Sequence, residues 1–187
     1  MPLIKKILNH NLQFTSEINA NPVEEAVKPS KYPNQQLAII TCMDTRLIGY
    51  LESAIGISCG QAKVIKNAGN IVSDQFGETI KSIIISIYEL AVKEIIIIGH
   101  TDCGMTSITP HSLINKMLAR GITADSIESI RTDLTNWVES FHNPTDNIRK
   151  AVSLIKNNPF IPNEILVHGL LFSLEKGTVE VIIHDKT

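Results

Sequence analysis

The chain has 187 residues, 43% hydrophobic and 19% charged, enough apolar material for one full core without disulfide staples. Seventeen Lys and Arg against nineteen Asp and Glu leave a formal charge of -2, which offers nucleic acid no basic face and includes no acidic disordered tail. Three cysteines, an odd number in a chain of this size, argue against a secreted disulfide framework and for thiols kept for metal or catalysis.

At the N-terminus, Met1 to Leu12 shows no continuous apolar run and no small-residue cleavage site. Ile4, Ile7, Leu8 and Leu12 fall at helical spacing and predict an amphipathic helix. Leu37 to Ile40, bounded upstream by Pro33 to Gln36, reads as a buried strand. Lys63 to Lys66, after the turn at Cys59-Gly60, is a second one. From Glu78 the period becomes helical, with Ile80, Ile83, Ile84, Ile87, Leu90 and Ala91 on one face. Ile95 to Ile98 then predicts a strand buried on both faces, ending at Gly99. Lys81, Glu89, Lys93 and Glu94 interrupt this most apolar region and argue against a membrane span.

Met105 to Pro162 reads as helical and solvent-facing, clearest at Thr132 to Phe141 and at Asp146 to Lys156, where Asn157-Asn158-Pro159 stops the second helix. Ile165 to Val167 is another strand. Val179 to Ile183, after Lys176-Gly177, completes an antiparallel edge hairpin. Strands alternating with helices imply an α/β fold: a mostly parallel central sheet flanked by helices, with an antiparallel C-terminal edge strand. One domain is expected over 1–187, a helical arm at 1–36 and an α/β core at 37–187, in a soluble cytoplasmic protein with neither nucleic-acid nor membrane partners.

Ligands of such sheets sit beyond the carboxyl ends of the strands. There the first strand runs into Thr41-Cys42-Met43-Asp44-Thr45-Arg46, and an extended chain would place Cys42, Asp44 and Arg46 on one face. The Ile95 to Ile98 strand ends at Gly99-His100-Thr101-Asp102-Cys103-Gly104, where a tight turn permitted by Gly99 and Gly104 lets His100 and Cys103 converge. Cys42, His100 and Cys103 are the soft donor set that a zinc ion with one open position requires. Each has a plainer reading: a buried free cysteine is ordinarily a small core residue, and a histidine after a strand is ordinarily a hydrogen-bonded loop residue. The charged Asp44 and Arg46 directly after a buried strand tilt the balance toward a site, because charges placed there need partners.

Cys42-Met43-Asp44-Thr45-Arg46 together with His100-Thr101-Asp102-Cys103-Gly104 resembles the C-x-D-x-R and H-x-x-C motifs of the β-class carbonic anhydrases. Lys66-Asn67-Ala68-Gly69-Asn70 is similar to that family's R-N-A-G segment, and Val167 to Leu170 with Glu175 to Gly177 to its last strand and hairpin. The resemblance runs from about Leu37 to Ile183, and the chain's length resembles the short bacterial and archaeal branch. It implies one zinc ion per chain on Cys42, His100 and Cys103, and reversible hydration of carbon dioxide to bicarbonate and a proton by zinc-bound hydroxide. Asp44 and Arg46 would be the catalytic pair, with Asp44 either orienting the hydroxide or turning onto zinc as a fourth ligand. Asn67, Ala68, Gly69 and Gly104 would border the substrate pocket. A homodimer or higher even homo-oligomer is implied, in which N-terminal helices embrace a second subunit. Lys66 in place of Arg keeps the charge without the bidentate fork, and Met105 replaces a small residue beside the pocket.

Asp102 reads equally as a turn cap. Cys59 reads as an ordinary thiol, and His10, His111, His142, His168 and His184 as packing or surface residues without ligand spacing. Rival readings are a hydrolase of carbon disulfide or carbonyl sulfide on the same zinc fold, and a non-catalytic zinc-binding protein. A Cys42 thiolate nucleophile lacks the Gly-rich anion loop that chemistry needs.

Overall fold

A computed structural model describes residues 2–20 and 30–186. The chain divides into two units, Met1–Ser30 and Lys31–Thr187. The first contains helix α1 (Leu3–Ala20), whose predicted apolar row, Ile4, Ile7, Leu8 and Leu12, is exposed along with Leu3 and Phe14. Among the described residues, no helix is long and apolar enough to cross a membrane.

The second unit is built on a five-stranded sheet. Strands β1 (Leu37–Cys42), β2 (Ala62–Asn67), β3 (Glu94–His100) and β4 (Leu166–Phe172) are parallel, and β5 (Val179–Ile183) pairs antiparallel with β4, as expected for the edge hairpin. The strand order is β2-β1-β3-β4-β5. After β1 the chain moves outward to β2, through α2 (Tyr50–Ala54). It then crosses back by α3 (Glu78–Tyr88) to β3, on the other side of β1. The topological switch therefore lies between β1 and β3, where open α/β sheets bind ligands.

β1 is buried at every position, consistent with a central parallel strand covered on both faces. One face of the sheet packs Ala38, Ile40, Ile95, Ile97 and Val167 against Ile80, Ile83 and Ile87 of α3. The same layer includes Ile148, Ala151, Val152 and Ile155 of α7 (Pro144–Lys156). The other face packs Ile39, Ile98 and Phe172 against Leu47 and Leu51. In β3, Ile95, Ile97 and Ile98 are buried while Ile96 is only partly covered.

Three expectations change. α3 stops at Tyr88, so Leu90 and Ala91 leave the predicted face, and Ala91 turns to a φ of 58°. The region after Met105 forms α4 (Pro110–Ala119), α5 (Ala124–Glu128), α6 (Arg131–Glu139) and α7, but α7 belongs to the core and not to a solvent face. Gly99 does not bend the chain: a Cβ there would lie 2.8 Å from Ile148 Cδ1, so its service is to let α7 approach the sheet.

Candidate metal centre

Cys42 is the last residue of β1 and His100 the last of the neighbouring β3. Both are therefore delivered to the same edge of the switch point, and Cys103 follows three residues later. The ligand atoms of the three residues all lie within 4.8 Å of one another, and all three residues are buried. The turn that returns Cys103 uses a left-handed residue, but it is Asp102 at a φ of 54°, not either flanking glycine. Nothing lies within 4 Å of where a Gly104 Cβ would stand.

The donor set fits zinc on two observations. First, the Cys42 and Cys103 sulfurs are 4.0 Å apart, close to the roughly 3.8 Å between two thiolates on a tetrahedral zinc with bonds of about 2.3 Å. Second, His100 Nδ1 lies 2.8 Å from the Thr101 carbonyl, an acceptor only, so in the neutral ring this nitrogen carries the hydrogen. Nε2 is left as a lone pair, buried and without a hydrogen-bond partner, although the ring is only 1% exposed. An orphaned acceptor beside two sulfurs is what a cation would satisfy.

The thiols are already biased. Cys42 is held below the ordinary thiol range chiefly by the bond from Cys103, against the effect of burial. Donating to Cys42 pushes Cys103 up, as does burial. One thiolate is thus favoured without assistance, and a dication is the partner that lets both ionise.

Beyond Cys42 the chain does not remain extended. It closes into a 3-10 turn at Thr45–Leu47, capped by Asp44, whose Oδ1 accepts the Arg46 backbone N–H at 2.9 Å. Arg46 Nε donates to the same oxygen at 3.0 Å and Nη2 to Oδ2 at 2.7 Å, a bidentate pair. The side-chain hydrogen bond from Arg46 holds the Asp44 carboxyl down at about 2, although burial works the other way. Arg46 then reaches the second loop, with Nη1 2.6 Å from Asp102 Oδ2 and Nη2 2.8 Å from the Asp102 carbonyl. Asp102 thereby ties the two motif loops together, a role sequence spacing could not show. Asp44 Oδ2 stands 3.9 Å from His100 Nε2.

Three of the four residues expected to border a pocket divide between two hollows, and the fourth, Gly69, lines neither. Asn67 and Ala68 line a cleft of about 220 Å³ with Thr79 and Trp137. Gly104 lines another, of about 460 Å³, with Asp102, Cys103 and Thr145. Asn67 Nδ2 is committed to the Ile71 carbonyl and Thr79 Oγ1, both at 2.9 Å. Gly69 is buried at a φ of 67°, and a Cβ there would meet Met105 Cγ at 2.9 Å and the Phe141 ring at 3.1 Å. Met105 is thus packed beneath the Gly69 loop. Lys66 is paired with Glu52 of α2 at 2.8 Å.

Cys59 is an exposed free thiol. His168 is buried 3.2 Å from Glu94 Oε1, with its ring centre 5.2 Å from that of the tilted His184 ring. Asn147 belongs to neither motif, and its one signal in the sequence is its spacing of four and eight from Ala151 and Ile155 on the apolar stripe of α7.

Comparison with known proteins agrees with these features. The carbonic anhydrase family profile matches residues 37–179. β-Carbonic anhydrase 1 of Mycobacterium tuberculosis is 33% identical over 151 residues, covering 80% of this chain and 83% of that protein. A carbon disulfide hydrolase of Saccharolobus solfataricus is 32% identical over 159 residues, 76% of each protein. The solved structure of β-carbonic anhydrase isoform I from Trichomonas vaginalis matches across 100% of both chains, with a TM-score of 0.93 and 42% identity. By motif, fold and full-length likeness, the chain belongs to the β class of the carbonic anhydrase family.

Proposed function

We propose that this protein catalyses the reversible hydration of carbon dioxide to bicarbonate and a proton, with one zinc ion held by Cys42, His100 and Cys103. The observation that carries the reading is the buried cluster of two sulfurs and an unpartnered His100 Nε2, set against an ionised Asp44. When bound, zinc supplies a Lewis acid that brings the pKa of a water molecule to about 7, with the two thiolates moderating its acidity.

The protein's own groups do the rest. Asp44, held ionised by Arg46, is an acceptor throughout the neutral range and too weak a base to store the reaction's proton. Its role is to accept a hydrogen bond from the attacking oxygen and so aim a lone pair at the substrate carbon. Arg46 fixes that carboxylate from both oxygens, and Asp102 fixes Arg46. Turning Asp44 toward the metal as a fourth ligand would require breaking these bonds, so the arrangement favours the orienting role. A small neutral substrate needs no charged steering, consistent with the balanced charge of the chain.

Zinc content measured alongside carbon dioxide hydration from about pH 6.5 to 9 tests the proposal. Cys103→Ser should lose most of the metal, and Asp44→Ala should keep it and lose most of the activity. A Cys103→Ser protein with full zinc and full turnover would sink the ligand assignment. Carbon disulfide is the second reading, supported by the likeness to the Saccharolobus solfataricus hydrolase. Sulfide release from carbon disulfide, without hydration of carbon dioxide, would favour it. The exposed apolar row of α1 supports assembly of the chain as a homodimer or a higher even oligomer.

A further inference from the structure

We propose that Asn147 is a positioning residue of the metal centre, holding the Gly69 loop against Met105, two residues beyond Cys103. Asn147 belongs to α7 and is 4% exposed, on the stripe that otherwise carries Ala151 and Ile155 into the apolar core. A carboxamide at such a position is tolerated only if its polar atoms find partners. Its Nδ2 donates to the Gly69 carbonyl at 2.8 Å and lies 3.5 Å from that of Asn70, 78 and 77 positions earlier in the chain.

The loop it grips needs outside restraint. Gly69 and Asn70 are consecutive left-handed residues, with φ of 67° and 48°, and Asn70 is not a glycine. The loop follows directly on Asn67, which pairs with Cys42 in the sheet and whose carbonyl accepts the Met43 N–H at 2.8 Å. Contacts behind the ligand loops orient the ligands, so they set how tightly a metal is held. Asn147 touches neither sulfur. It acts through the backbone of Gly69, and Met105 and Phe141, packed where a Gly69 Cβ would stand, close the loop from the other side.

The inference rests on the metal-site reading, and cobalt(II) separates the two. Asn147→Leu keeps the branched shape of the side chain and removes the donor. Val152→Ala, on the same buried face of α7, loosens packing without touching the loop. The cobalt-loaded proteins are compared by the energy of the sulfur-to-cobalt charge-transfer band and by the rate of metal release to a chelator. Asn147→Leu should shift the band and release cobalt about 10-fold faster or more. Val152→Ala should lower the melting temperature and change neither. An unshifted band and unchanged release in Asn147→Leu would overturn the positioning role, as would the same changes in Val152→Ala. If Asn147→Leu does not fold, Asn147→Ser, whose hydroxyl is too short to span the gap, is read by the same criteria. Wild-type protein that takes up no cobalt would overturn the metal-site reading, and this inference with it.

Discussion

Asp44 and Arg46 stand two positions apart, and almost everything specific about their chemistry comes from one another. The bidentate bond keeps the Asp44 carboxyl at about 2, against an ordinary 3.8. A carboxyl depressed in the folded state stabilises the fold above its unfolded pKa, and that contribution fades as pH falls through the folded value. The relevant window therefore runs from about 3.8 down to about 2. Arg46→Gln should return the Asp44 carboxyl toward its ordinary range, seen in a carbon-13 NMR titration. The melting temperature of the wild type should also fall more steeply across that window than the variant's; equal slopes would contradict the pairing. At this scale the sequence was informative about identity and silent about geometry. Cys42, Asp44, Arg46, His100 and Cys103 could be singled out from two short motifs. The conversion of Asp44 from an extended residue to the cap of a 3-10 turn depends on hydrogen bonds that residue types alone do not specify.

At the scale of elements, the centre stands on two parallel strands pressed from one side by α7. Ile148 is the point of closest approach, lying against both Gly99 and Gly169. Gly99→Ala would place a methyl group 2.8 Å from Ile148 Cδ1 and should cost about 1–3 kcal/mol in urea unfolding. Ile148→Val removes that same Cδ1 and should cost about 0.5–1.5 kcal/mol by itself. Because the second change relieves the first, the double variant should lose less than the sum, and strict additivity would refute the contact. The strands were the most legible elements, since short β-branched runs bounded by turn residues signal burial directly. The α7 sequence reads plainly as a helix but not as a buried one. Lys150, Lys156 and Asp146 make its composition polar, while the residues that decide its place, Ile148, Ala151, Val152 and Ile155, occupy one narrow face.

For the whole molecule, the proposed assembly of subunits falls on α1. Leu3, Ile4, Ile7, Leu8, Leu12 and Phe14 are exposed on a single helix, an apolar row that gains by burial against another surface. Deleting residues 1–30 should leave the Lys31–Thr187 unit folded, because that unit contains the five-stranded sheet and both core layers. The deletion should also lower the assembly state in sedimentation velocity. An unchanged oligomer would show that α1 does not hold the subunits together.

The amino-acid sequence by itself determined the strand runs, the helical faces and the identities of the donor residues, because period and residue chemistry are local properties. Tertiary structure alone decided that β1 and β3 are neighbours across a topological switch, which brings Cys42 to His100 and Cys103. It alone decided that His100 turns an unpaired Nε2 toward the sulfurs, that Asp102 clamps Arg46, and that Asn147 grips Gly69. The physical reason is the same in each case. These partners are 56 to 78 positions apart or set by a single backbone carbonyl, and only the folded sheet brings them within bonding distance.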